Sequence, residues 1–318
     1  MRAYSLAVAL GWIALAAAGV YYARLKNVPA AIAAPLVAAF LVEYALYLVP
    51  GFERVRRGLA EKLPVLALAA ALVASGLAPY LIYSLATGQF HPVALLRLFV
   101  LLAAISFWYV FREPRLSSDL AIVALLAAIL LLKLFSQIYT SPAPDIRIEV
   151  LGQLALIRIA AMVMLTIREV DGVGFGFLPS LDEWKIGARY FVYFAAVGLP
   201  VALAIGLIRF QWSPQAHLAP ILFLGFLWVV ALSEEFFFRG LIQQWATQRI
   251  GSTGGLVLAS ALYGLAHISF RAFPNWKHAV VTTILGWFCG KAFLAGKGIR
   301  AAMVTHALAI TLWRVMFV

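Results

Sequence analysis

Charged residues are scarce in this chain, and their scarcity excludes an ordinary soluble protein. Of the 318 residues, only 12% are Asp, Glu, Lys or Arg, whereas 64% are hydrophobic. Ordinary soluble domains are about one quarter charged and about half apolar. The composition therefore predicts an all-α polytopic membrane protein, built as a bundle of transmembrane helices.

Cysteine is almost absent as well. The chain has a single cysteine, Cys289, which lies within an apolar run. One thiol cannot form a disulfide within the chain, and it cannot supply a metal site built on several cysteines. We interpret Cys289 as a small residue at a helix-packing position.

Acidic residues are about half as frequent as basic ones. The sequence has 13 Asp and Glu against 25 Lys and Arg, which gives a net charge of +12. In a soluble protein this balance would favour binding to nucleic acid. Here most basic residues lie in short loops between apolar runs, where they set the topology and contact anionic lipid. We therefore expect the lipid bilayer as a partner and no nucleic acid.

Apolar runs of roughly 20 residues, the length that crosses a bilayer, recur along the chain. We count about eleven candidate spans, at 4–22, 30–49, 64–87, 92–111, 120–140, 148–167, 188–208, 218–238, 254–270, 279–296 and 299–317. The first run lacks the features of a cleaved signal peptide, so we expect a retained anchor.

The distribution of basic residues predicts the orientation of these spans. If the N-terminus is cytoplasmic, the loops on that side carry 15 Lys and Arg and the opposite loops carry 7. This asymmetry has the direction that the positive-inside rule requires. We expect a multi-pass protein of the cell membrane with a cytoplasmic N-terminus. The Glu234–Arg239 end of the eighth run would then lie near the cytoplasmic face.

A polar stretch at 168–185 divides the chain. It contains Gly172, Gly174 and Gly176, but no strand pattern precedes them and no Gly-Lys-Ser/Thr follows, so a flexible turn is favoured over a phosphate-binding loop. We predict an N-terminal transmembrane bundle of unknown role at 1–170 and a second domain at 171–318.

Two adjacent carboxylates, Glu234 and Glu235, follow a long apolar run. Charged side chains at membrane depth are costly and mark functional sites, although both could simply be solvated at a helix end. Glu235 and Arg239 are four residues apart, so they share a helix face and can pair. Glu234 is then left as the carboxylate available for proton transfer.

Two histidines lie within later apolar runs. His267 follows Tyr263 by one helical turn, and His306 lies in the first half of the last run. Either histidine alone could merely hydrogen-bond a neighbouring helix. Together with Glu234 they could activate a water molecule and stabilise an oxyanion. The same three residues could instead bind zinc with one position open.

Further charges lie within runs of the N-terminal half, among them Glu43, Lys133 and Arg158. Mutual pairing is their simplest interpretation. A proton or ion path, as in a transporter, is the alternative.

At the glutamates and histidines the sequence resembles the CPBP family, the CAAX-prenyl-protease and bacteriocin-processing membrane proteins, also called the Abi family. Its Glu-Glu-x-x-x-Arg motif matches at 234–239, and its aromatic-x-x-x-His motif matches at 263–267, with Tyr where Phe is commoner. The stretch from Gly286 to His306 is similar to the one that leads to the family's last His. The resemblance covers about residues 175 to 317.

The resemblance implies a glutamic intramembrane endopeptidase that acts on a membrane-associated peptide or protein and uses no cofactor, with zinc as the alternative. Glu234 and His267 would activate water, and His306 would help to form the oxyanion hole. Three neighbours would shape the site, namely Glu235, Arg239 and Tyr263.

One position departs from the family pattern, which usually has Asn or Asp four residues after the last His. Here that position is Ile310, which cannot donate a hydrogen bond. Loss of one oxyanion donor typically costs about 3 kcal/mol of transition-state stabilisation. Another donor substitutes, or the enzyme is slow or altered, or the protein is a non-catalytic scaffold or immunity factor on the same fold.

Overall fold

The computed structural model describes residues 2–144, 146–214 and 216–317. About 80% of the chain is helical, and the described residues form no strand beyond one isolated bridge between Phe210 and Phe317. The predicted all-α class is confirmed.

The first compact unit, Met1–Val170, contains nine helices among its described residues. They are α1 (Arg2–Leu25), α2 (Ala30–Leu48), α3 (Glu53–Lys62), α4 (Val65–Ala86), α5 (Pro92–Ser106), α6 (Trp108–Phe111), α7 (Leu116–Leu131), α8 (Leu134–Ile138) and α9 (Val150–Met162). A π-helical segment, Val163–Ile167, continues α9.

The second compact unit, Asp171–Val318, carries the glutamates and both histidines. Its described helices are α10 (Leu181–Ala204), α11 (Ala219–Gly225), α12 (Leu232–Glu235), α13 (Gln244–Ala266), α14 (Trp276–Gly296) and α15 (Ile299–Met316). Two π-helical segments, Phe226–Ala231 and Phe236–Gln243, join α11, α12 and α13 into one continuous helical segment.

Seven helical segments of the described chain are long and apolar enough to cross a membrane. They are Arg2–Leu25, Ala30–Gly51, Val65–Ala86, Val150–Ile167, Leu181–Ala204, Ala216–Ala266 and Trp276–Gly296. The protein is therefore a multi-pass membrane protein, but the predicted count of about eleven spans is not confirmed. Helices α5 and α7 are apolar and shorter.

The predicted run at 120–140 is interrupted in the structure. Helix α7 ends at Leu131, and Lys133 takes a left-handed conformation with φ of 50° before the short helix α8. Lys133 is exposed, whereas Glu43 and Arg158 form a buried ion pair with contacts of 2.7 and 3.1 Å. The structure therefore pairs Glu43 with Arg158 and leaves Lys133 outside the pair.

The predicted runs at 218–238 and 254–270 belong to the single segment Ala216–Ala266. The helix is interrupted within it at Ile250 and Gly251, where Gly251 has φ of 77°. The chain reverses there, because Phe238 contacts Tyr263 and Glu234 faces His267 across the interruption. The expectation that Glu234 and Arg239 lie at the end of a helix is wrong, because the helix continues well beyond Arg239.

Burial of polar side chains explains why the helix continues past Arg239. Arg239 and Gln243 are fully buried, and they donate hydrogen bonds of 3.0 and 3.2 Å to the carbonyls of Gly286 and Gly290 on α14. Glycine at position 290 allows this close approach, since a Cβ there would lie 2.7 Å from Oε1 of Gln243. Polar side chains that suggest a loop from the sequence alone thus form their hydrogen bonds inside the packed helices.

Candidate active site

Glu234 and Glu235 lie on α12, a helix of four residues between the two π-helical segments. Such π-helical turns inside α-helices are frequent at functional sites. The side chain of Glu235 is fully buried, whereas that of Glu234 is 29% exposed. The two adjacent acids therefore occupy different environments, and only Glu234 is accessible.

Glu235 is held between a cation and a histidine. Its Oε2 lies 3.1 Å from Nε of Arg239, at an angle that makes the contact an ion pair rather than a hydrogen bond. Its Oε1 accepts a hydrogen bond of 2.7 Å from Nδ1 of His306. A carboxylate that is paired in this way is an orienting group rather than a free base.

His267 is oriented by a different acceptor. Its Nδ1 donates a hydrogen bond of 2.8 Å to the backbone carbonyl of Tyr263, one turn earlier at the end of α13. Because a carbonyl oxygen can only accept, this bond places the proton on Nδ1. The Nε2 atoms of both His267 and His306 are consequently directed away from their orienting partners.

Both of these Nε2 atoms face the same oxygen. Oε2 of Glu234 lies 3.6 Å from Nε2 of His267 and 3.8 Å from Nε2 of His306. This oxygen is buried and has no hydrogen-bond partner among the described residues. The separations are too long for direct hydrogen bonds, but they are suitable for groups that contact one shared water molecule.

Tyr263 lies against both histidines. Its hydroxyl is 3.1 Å from Nε2 of His306, and its ring centroid lies 4.6 Å from that of His267. The guanidinium carbon of Arg239 is 4.8 Å from the centre of the ring, and Phe238 contacts the ring edge-on. The phenol is therefore fixed in position by packing on several sides.

Ile310 follows His306 by one turn of α15 and is partly buried. Its aliphatic side chain offers no hydrogen-bond donor. The two side chains that bond His306 among the described residues are Glu235 and Tyr263.

The donor set of Glu234, His267 and His306 would suit zinc, which binds imidazole nitrogen and carboxylate oxygen and leaves one position for water. These residues would hold the ion, which would activate the bound water. Glu235, Cys289 and His306 also bring ligand atoms within 4.8 Å of one another. A cation among these three would lie beside the buried charge of Arg239, which disfavours it.

Sequence reasoning missed the contribution of α14 to this site. Gly286 and Gly290 have the four-residue spacing of small residues that pack between helices, and the structure shows in addition that their carbonyls accept hydrogen bonds from Arg239 and Gln243. The sequence does contain one indication of these contacts: Arg239 and Gly286 are 47 residues apart, and so are Gln243 and Gly290. Two side chains four residues apart on one helix therefore meet two carbonyls four residues apart on the next.

The fold and the site define a class: a multi-pass helical membrane protein in which one carboxylate and two histidines converge within the second unit. Residues 216–312 match a family model described as "Rce1-like: Type II CAAX prenyl endopeptidase Rce1-like". The match confirms the resemblance to the CPBP proteases over this segment, which includes all six predicted site residues. No significant match was found among the curated proteins or among the solved structures.

Proposed function

We propose that the protein is an intramembrane endopeptidase that hydrolyses a peptide bond of a membrane-associated peptide or protein. The observation that carries this proposal is the convergence of two imidazole Nε2 atoms on Oε2 of Glu234. The family match to a group of endopeptidases supports the same reaction class.

Glu234 and His267 are the pair that activates water. A water molecule between them donates one hydrogen bond to Oε2 of Glu234 and one to Nε2 of His267, since both atoms are acceptors and lie 3.6 Å apart. The oxygen lone pair is then directed at the substrate carbonyl. The modest exposure of both side chains allows a peptide to reach them.

The reaction balances without a further reagent. The water oxygen forms a bond to the carbonyl carbon, its proton passes to Glu234, and the π electrons of the carbonyl move to oxygen. When the carbonyl forms again, the carbon–nitrogen bond breaks and Glu234 returns the proton to the leaving nitrogen. The products are a carboxylic acid and an amine.

Glu235 and Arg239 act as positioning residues in this scheme. Glu235 fixes the ring of His306 through Nδ1, and Arg239 fixes Glu235. His306 then faces the position where negative charge develops, and its imidazolium form would stabilise an oxyanion.

The test uses purified protein in lipid vesicles and an internally quenched peptide that ends in a prenylated CAAX sequence, which the name of the matched family makes the first substrate to try. We expect cleavage by the wild-type protein and its loss in Glu234→Gln, which removes the base and keeps the side-chain shape. Glu61→Gln is the matched control, because Glu61 lies exposed on α3. Equal cleavage by Glu234→Gln and wild type would refute the proposal.

A parallel set of unprenylated apolar peptides tests the substrate class. If only these peptides are cleaved, the endopeptidase proposal holds and a requirement for a prenyl group is excluded. Chelation separates the two chemistries: cleavage that survives metal removal excludes zinc, whereas cleavage that is lost and restored by added zinc supports the metal site.

A further inference from the structure

The hydroxyl of Tyr263 lies 3.1 Å from Nε2 of His306, the group that faces the oxyanion in the proposed mechanism. We propose that Tyr263 is a catalytic residue whose phenol donates a hydrogen bond to the oxyanion of the tetrahedral intermediate, replacing a donor that position 310 lacks. This inference rests on the proposed endopeptidase function and assigns a further group to the same site.

The contact with His306 places the phenol in the reacting region. The hydroxyl is 3.1 Å from Nε2 of His306, and that nitrogen is 3.8 Å from Oε2 of Glu234. The phenol oxygen therefore lies one hydrogen bond away from the atom that faces the proposed water. A ring without the hydroxyl could fill the same position, so packing alone does not account for it.

The phenol carries one hydrogen, which points to one acceptor at a time. In the resting site that acceptor is Nε2 of His306, at 3.1 Å. Because the hydroxyl turns about a single C–O bond, the same hydrogen can reach an oxyanion that forms beside Nε2, and a charged oxygen is the stronger acceptor.

The surroundings of the ring hold the hydroxyl in place before the reaction begins. Tyr263 is 1% exposed, and its ring is fixed by Arg239 and Phe238. A donor that is fixed in advance needs no reorganisation when charge develops, which is the property that makes oxyanion-hole donors effective. Ile310 supplies no hydrogen bond on the neighbouring face of α15, so this role is left to the phenol.

The decisive variant is Tyr263→Phe, which removes the hydroxyl and keeps the ring against Arg239 and Phe238. We expect kcat for the quenched prenylated peptide to fall by about 100- to 1000-fold, the loss seen when one oxyanion donor is removed. KM should stay within about twofold, because the hydrogen bond forms only after attack on the carbonyl. Tyr193→Phe is the control, since Tyr193 is 48% exposed on α10 and should leave kcat unchanged.

The second variant restores a donor from the other helix. Ile310→Asn places an amide one turn beyond His306, and in the Tyr263→Phe background we expect it to raise kcat by at least tenfold. A role for the hydroxyl in folding alone would not respond to this addition. Thermal unfolding of each variant verifies that the compared proteins are folded.

The outcomes separate this inference from the proposed function. If the wild-type protein cleaves neither the prenylated nor the unprenylated peptides, the endopeptidase proposal fails and this one with it. If the wild-type protein cleaves and Tyr263→Phe has the same kcat, only the role of Tyr263 is refuted. An increase in KM without a fall in kcat, or no rise in kcat when Ile310→Asn is added to Tyr263→Phe, would also overturn it.

Discussion

At the level of single residues, the two adjacent glutamates differ in their partners. Glu235 compensates the buried charge of Arg239, whereas Oε2 of Glu234 has no hydrogen-bond partner among the described residues. Removing one partner of a buried ion pair leaves an uncompensated charge in a region of low polarity. The consequences of losing the two carboxylates should therefore differ in kind.

We expect Glu235→Ala to lower the free energy of unfolding by roughly 3 to 5 kcal/mol, because Arg239 would remain buried and unpaired. Glu234→Ala should change it by less than about 1 kcal/mol while abolishing cleavage. Unfolding in mixed micelles measures both values. Equal destabilisation by the two variants would contradict the division of roles.

Much of the division between these glutamates is predictable from the sequence, because a spacing of four residues brings Glu235 and Arg239 to one helix face. The partners of His306 and Arg239 are not predictable in this way. Glu235 and His306 are 71 residues apart, and Arg239 and Gly286 are 47 apart. Such contacts depend on which helices pack together, and neither hydropathy nor helical periodicity specifies that.

At the scale of helices, the packing of α14 against the segment that carries the glutamates depends on glycine. Gly290 faces Gln243 and Leu256 so closely that any Cβ would have to displace them. Overpacking of a well-filled contact typically costs about 1 to 3 kcal/mol. The absence of a side chain at Gly290 therefore helps to keep Gln243 and Arg239 within hydrogen-bond distance of their carbonyl acceptors.

Gly290→Ala should destabilise the protein by about 1 to 3 kcal/mol and reduce cleavage, since the displaced α14 carries the carbonyl that bonds Arg239. Gly225→Ala is the matched control, because a Cβ at Gly225 on α11 meets nothing within 4 Å. Alanine there should be neutral or stabilising by up to about 1 kcal/mol. Thermal unfolding and the peptide assay together measure the effect, and equal behaviour of the two variants would exclude the packing argument.

The helical class follows from hydropathy, but the boundaries of helices do not. A window of apolar residues reports composition, so it ends the eighth run at residue 238, where polar side chains begin. In the structure Arg239 and Gln243 are buried against α14, and the helix continues to the reversal at Ile250 and Gly251. Satisfaction of these polar groups by a distant helix is invisible to a local window.

For the whole molecule, orientation in the membrane is the property that stays a prediction. The excess of Lys and Arg in alternate loops predicts a cytoplasmic N-terminus. The single native cysteine simplifies the test, because Cys289 is fully buried and should not react with an impermeant maleimide.

We expect His91→Cys, in a predicted outer loop, to be labelled in intact cells. Glu61→Cys, on α3 in a predicted cytoplasmic loop, should be labelled only after permeabilisation. Both positions are exposed, so access rather than burial decides the result. The reverse pattern would show that the N-terminus lies outside. The unaltered protein should stay unlabelled, and labelling of it would show that Cys289 is accessible.

The reversal at Ile250 and Gly251 also limits how this chain can change in length. Glu234 lies 16 residues before Ile250, and His267 lies 16 residues after Gly251. Each helical residue advances the chain by about 1.5 Å and turns it by about 100°. One residue inserted on one side of the reversal alone would shift Glu234 or His267 along its helix and rotate that side chain away from the other. The two stretches from Glu234 and from His267 to the reversal therefore constrain each other's length, whereas length changes outside them leave these two groups in register.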